Sequence, residues 1–178
     1  YTQFVLEQEN EPTSVYRFCK NLKIEENEFY NHFASLEDLR RKIFSEFFNN
    51  SLSLIEKEKG YVSKSPKEKL LSFYFTFFEV LLINRSYVLI ALRGDKSSMD
   101  KMTILKSLRS SFKKFATVLI QDGNALKQSK ISQRSETIFS EGAWIQLLFL
   151  LGFWMEDSSA GFEKTDIAIE KSVRTVFD

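Results

Sequence analysis

PTSVYRFCKNLKIEENEFYNHFASLEDL, residues 12–39, is the stretch that decides how the rest of the chain is read. After Pro12, Thr13 or Ser14 can accept a free backbone N–H at the start of a helix. That helix carries Val15, Phe18, Cys19 and Leu22 at three- and four-residue spacing, which makes one apolar face. Lys20 to Ile24 turns the chain. A second short helix is expected over 25–33, with Phe29, Tyr30 and Phe33 turned inward. Ser35-Leu36-Glu37-Asp38 then forms a capping box that opens a long helix. Two short helices joined by a tight turn can set the second into a DNA groove.

Composition bounds the classes open to the chain. At 178 residues it is one compact unit, or a small head joined to a larger body. A hydrophobic content of 43% is ample for a core, and two prolines with six glycines favour few, long helices. The net charge of +1 gives no global pull toward nucleic acid or an anionic membrane. Cys19 is the lone cysteine, so no internal disulfide can form, and a reducing, cytoplasmic setting is expected. No signal peptide is evident. A chain that opens at Tyr1 inside an apparent helix is expected to lack its natural start.

Residues 1–9 look like the end of a first helix, with Phe4 and Val5 inward. From Leu36 a long helix is expected to about Lys59, aligning Leu36, Leu39, Ile43 and Phe47, and stopping at Gly60. Pro66 suits the first position of the next helix, expected to run to about Leu92 before Arg93-Gly94-Asp95 ends it. Its segment LLSFYFTFFEVLLI is apolar almost all round but shorter than a bilayer span and interrupted by Ser72, Thr76 and Glu79, so it reads as a core helix. Another helix, about 99–120, turns Met102, Leu105, Leu108, Phe112, Phe115 and Leu119 inward. Its outer face holds Lys101, Lys106, Arg109, Lys113 and Lys114, most simply a solvated face. Residues 121–132 read as a polar connection. Two closing helices, about 135–155 and 161–177, carry apolar faces that suit a four-helix dimer interface.

Little in the chain points to chemistry. His32 is the only histidine, and no Cys/His cluster, glycine-rich phosphate loop or nucleophile elbow occurs, so neither enzyme activity nor a metal or cofactor is expected. Aromatic residues make up 15% of the chain. Phe73, Tyr74, Phe77 and Phe78 on one body helix can face Phe112, Phe115, Trp144 and Phe149 on others. Plain core packing accounts for each singly. As a set they are the expected lining of an apolar ligand pocket, with Glu79 its polar group.

The string from Phe29 through Tyr30, His32, Phe33, Ser35, Glu37 and Asp38 to Leu39 resembles the DNA-binding domain of the TetR family of transcriptional regulators. That resemblance implies an all-α homodimer. It would have a three-helix head over residues 1–48 and a helical ligand-binding and dimerisation body over 49–178, paired through its two C-terminal helices. It also implies operator DNA as a partner, contacted by Thr13, Lys23, Tyr30 and His32, and an apolar small-molecule effector. Two departures stand out. Leu36 occupies a position where the family usually has a phosphate-contacting lysine. Residues 25–33 hold three glutamates and no lysine or arginine, and residues 1–48 hold six Lys/Arg against nine Asp/Glu. Carboxylates are repelled by the phosphate backbone that supplies most non-specific affinity. The alternative is a TetR-fold lipid or isoprenoid carrier that no longer binds DNA. Residues 153–159 and 162–165, FWMEDSS and FEKT, resemble the end of the ubiquinone-biosynthesis lipid-binding protein.

Overall fold

The computed structural model describes residues 1–93, 97–125 and 135–177. Among these there is no strand, and the α-helices are α1 Thr2–Gln8, α2 Val15–Leu22, α3 Glu26–Tyr30, α4 Leu36–Glu56, α5 Pro66–Ile83, α6 Arg85–Arg93, α7 Ser98–Ile104, α8 Lys106–Ala125, α9 Glu136–Glu156 and α10 Glu163–Phe177. The fold is all-α, as expected. The chain divides into two compact units: Tyr1–Phe47 with Leu81–Leu108, and Phe48–Val80 with Arg109–Asp178. Residues 81–108, placed in the body by sequence, thus join the head segment. α4 is one continuous helix that contributes residues to both units.

In the first unit, Phe18, Cys19, Phe29 and Leu39 form a buried core, with Tyr1, Phe4, Val15, Ile24, Phe33, Leu36 and Ile43 packed around it. Phe18 is its hub. It meets Tyr1, Phe4 and Phe29 edge-on at centroid distances of 5.5, 5.6 and 6.1 Å, the geometry that aromatic quadrupoles favour. Ser14 accepts from the Arg17 N–H at 3.2 Å and caps α2. Lys23 ends that helix in the left-handed region (φ 56°), where glycine is the easy choice. Ser35 accepts from the Asp38 N–H at 3.1 Å, while the Asp38 carboxylate accepts from Ala34 rather than from Ser35. The expected capping box is therefore shifted by one residue on its return arm.

Several sequence expectations are corrected here. The second short helix is five residues, not nine, and that single turn brings only Phe29 into full burial. Tyr30 is exposed, and Leu22, the last residue of α2, is exposed as well. The helix expected over 66–92 breaks at Asn84. The Asn84 N–H closes on Leu81 O at 3.0 Å, and Asn84 O accepts from Val88 N–H at 3.0 Å to start α6. The helix expected over 99–120 breaks at Leu105. Its first part, α7, opens on a capping box in which Ser97 accepts from Asp100 N–H at 3.2 Å and Asp100 from Ser97 N–H at 3.1 Å. Met102 lies on the exposed side of α7. Residues 121–125 continue α8 instead of starting a connection. The rest of that connection, residues 126–132, and the stop at Gly94-Asp95 lie outside the described residues.

The second unit is held by an aromatic stack. Phe73 is fully buried, with Phe115, Phe48, Phe77 and Phe112 at 5.0, 5.3, 5.4 and 5.5 Å. Tyr74 is buried beside it and donates its hydroxyl to Gln146 Oε1 at 2.9 Å; Gln146 in turn donates to Ser172 O at 2.8 Å. That chain of bonds joins α5, α9 and α10 and satisfies a buried phenol whose titration burial pushes far up. By length and composition α9 could cross a membrane, and it is buried in the protein along one side. Its inner side, Trp144, Leu147, Leu151 and Trp154 among others, supplies part of that composition, and exposed apolar residues such as Ile145 and Phe149 supply the rest.

Asp157 closes the corner between α9 and α10. Its Oδ1 accepts from Ser159 N–H at 2.8 Å and Ser159 Oγ at 2.6 Å, and its Oδ2 from Thr165 N–H at 2.9 Å and Thr165 Oγ1 at 2.7 Å. These donors favour the carboxylate form, the Ser159 hydroxyl most, and hold Asp157 well below its ordinary value of 3.8. A group with a lowered folded-state pKa stabilises fully above its unfolded value and loses that contribution as pH falls through the folded one. Asp157→Asn is therefore expected to melt below wild type at neutral pH. The gap should close as pH is taken down from about 3.8, read as Tm against pH. A gap independent of pH would remove this role.

Candidate functional site

Along the second unit runs a groove of about 450 Å³, walled by α4, the Tyr61–Ser63 turn, the start of α5 and one side of α8. Helical periodicity builds it. Phe48, Leu52 and Glu56 recur every four residues on α4, and Ser111, Lys114, Phe115, Val118, Leu119 and Asp122 share a face of α8. Phe48 and Phe115 meet at 6.3 Å at one end. At the other, Gly60 (φ 89°) turns the chain so that Tyr61 closes the groove near Glu56 and Asp122. The Tyr61 hydroxyl is pushed up by burial first, then by Glu56, Glu58 and Asp122.

The middle of the groove is apolar and its two ends are polar in different ways. At the Tyr61 end, the Lys69 ammonium lies 3.6 Å from Asp122 Oδ2 and 5.7 Å from the Tyr61 ring centroid. That cation is already matched by a carboxylate and an aromatic face. At the Phe115 end, Lys114 is exposed and has no ion-pair partner among the described residues. Its neighbours on the same basic helix differ: Arg109 and Lys113 both pair with Glu141 of α9, whose carboxyl they hold below its usual range, Lys113 most. The face read as solvated is thus partly consumed by an internal pair.

Of the residues expected to line a pocket, Phe115 alone lines this groove. Phe73, Tyr74, Phe77, Phe78, Phe112 and Trp144 are buried in the packed core. Glu79 is exposed, and Phe149 is 60% exposed on the outside of α9. Sequence reasoning missed Leu52, Glu56, Tyr61, Lys69 and Asp122, because each looked like a polar or unremarkable position on its own element. The signal was present on α8, where Ser111, Lys114, Val118 and Asp122 repeat at helical spacing beside the inward face.

In the first unit Thr13, Lys23, Tyr30 and His32 are all exposed. Leu36 is half-buried against the head core. Two of the head's six cations are engaged by its own acids: Arg40 with Glu11 at 2.6 Å, and Arg41 with Glu37. Two more, Lys20 and Lys42, lie over the rings of Tyr16 and Phe33 at 5.7 and 5.2 Å. Glu25, the residue that precedes α3 as its N-cap, and Glu28 within α3 are both exposed.

α9 shows a second feature. Ile138, Ile145 and Phe149 are 76, 65 and 60% exposed, and with Phe153 they form one stripe at helical spacing. Beside Ile138, α9 and Val176 of α10 border a shallow apolar hollow of about 420 Å³. Among the described residues no side chain crowds Gly142 or Gly152, which lie along the same stripe.

Compared with known proteins, residues 69–178 match the family model described as tetracyclin repressor-like, C-terminal domain. No curated protein and no solved structure matches the chain. The match spans more than half of the sequence and covers most of the second unit.

Proposed function

Starting from a chain that belongs to the tetracyclin repressor-like (TetR) family, we propose that it is a homodimeric transcriptional regulator, cytoplasmic, whose helical body takes an apolar small-molecule effector. It works by binding, without catalysis or cofactor. The observation that carries this reading is the groove of the second unit, one wall of which is α4. The same uninterrupted helix begins at Leu36 in the head segment. An effector seated on Phe48 and Leu52 bears on that helix, and whatever it prefers there biases which head arrangements are populated. Operator DNA would be met by the exposed Thr13, Lys23, Tyr30 and His32. The exposed stripe of α9, with α10 beside it, is the surface for a second copy, since an apolar row of this kind is seldom left in water.

The acidic short helix favours a second reading: a lipid or isoprenoid carrier on the same fold, without DNA binding. Binding of the full-length protein to its own upstream DNA at several salt concentrations separates the two. A regulator is expected to lose affinity steeply with salt, linearly in the logarithms, as phosphate contacts release counterions. No binding at low salt, with a fatty or isoprenoid compound copurifying, would make the carrier the better account.

A further inference from the structure

We propose that the groove's ligand is a linear amphipathic monoanion, a medium-chain carboxylate with its head at Lys114 and Ser111 and its chain running toward Tyr61. This rests on the reading of the groove as the effector site. The order of residues along α8 sets the direction. Lys114 stands two turns before Asp122, about 12 Å along the helix axis at 1.5 Å per residue. Between them lie Phe115, Val118 and Leu119, with Phe48 and Leu52 facing them from α4. That is a narrow apolar strip, suited to an unbranched chain.

The charges then choose the head group. Lys114 is a cation at the groove's rim with no acid paired to it among the described residues, and Ser111 one turn away offers a hydroxyl donor. An ammonium and a hydroxyl together suit a carboxylate. At the far end Glu56 and Asp122 are negative, but Lys69 already occupies the place between Asp122 and the Tyr61 ring. A cationic head would have to displace Lys69 from both partners. A second anionic group on the ligand would approach Glu56. The groove therefore discriminates on both sides: against cationic amphiphiles at one end and against dicarboxylates at the other.

The test is titration of the full-length protein, by calorimetry, with decanoate, decanol, decylamine and decanedioate, each below its aggregation concentration. Decanoate is expected to bind about tenfold more tightly than decanol, the worth of one charge-assisted contact, and more tightly than the amine or the diacid. Lys114→Gln should abolish that preference by weakening decanoate to the level of decanol; Lys114 is exposed, and an unaltered Tm confirms the fold. Val118→Trp should weaken decanoate and decanol together. Equal binding of decanoate and decanol, tighter binding of decylamine, or a preference that survives Lys114→Gln would overturn the proposal. Upstream-DNA binding is measured on the same samples. Decanoate binding without DNA binding leaves this inference standing and removes the regulator. DNA binding without any chain compound bound does the reverse.

Discussion

Phe73→Ala is expected to cost about 3–5 kcal/mol of folding stability, the range for removing a buried aromatic ring. Phe73 has no solvent exposure and is ringed by Phe48, Phe77, Phe112 and Phe115, each within 5.5 Å between centroids. Truncation removes the transfer energy of the ring and leaves a void bordered by four flat, rigid side chains that collapse poorly. Whole-domain stability is about 5–15 kcal/mol, so this single change takes a large part of it. Urea unfolding of the full chain, followed through the buried Trp144 and Trp154, measures it. The number also decides what this aromatic set is for. A loss below about 1 kcal/mol would mean that the neighbours have room, as the lining of a pocket would, and that the set is not a packed core.

A double substitution, Ile145→Glu with Phe149→Glu, is expected to separate the proposed dimer. Both side chains project from the outer stripe of α9, 65 and 60% exposed in the single chain, so neither carboxylate disturbs the subunit's own core. In an interface they would be desolvated without partners, at a cost of about 4 kcal/mol or more, which is roughly a thousandfold in dissociation constant. Sedimentation at micromolar concentration should show a dimer for wild type and a monomer for the variant, with the circular dichroism of both fully helical. A monomeric wild type would sink the dimer reading at once. Association that ignores both glutamates would move the contact to another surface.

The fold class was readable because local signals agreed: Pro66 at a helix start, caps at Ser14 and Ser35, and apolar spacing on α4, α5, α8 and α9. The breaks at Asn84 and Leu105 were not. Apolar periodicity runs straight through both positions, and only the hydrogen bonding of Asn84 and of Leu105, whose N–H closes on Lys101 O at 3.1 Å to end α7, shows where one helix yields to the next. The candidate site was less legible than the fold. Aromatic abundance pointed to a pocket, yet abundance cannot tell rings that fill space from rings that border it. Phe73, Tyr74 and Phe112 fill it. The groove is bordered instead by side chains from four stretches, among them Lys69 and Asp122, brought together only by tertiary packing. The head was the converse case. Its layout was plain in the string from Phe29 to Leu39, while its charge runs against the role that layout implies.

The corner at Asp157 bears on the order in which the molecule matures. Ser159 and Thr165, which give it the four hydrogen bonds described above, lie no more than eight residues downstream. Closing so short a loop costs little chain entropy, far less than bringing Phe48 to Phe115 across more than sixty intervening residues. The α9–α10 hairpin can thus be assembled early, and with it the exposed apolar stripe of α9, before the aromatic interior has closed.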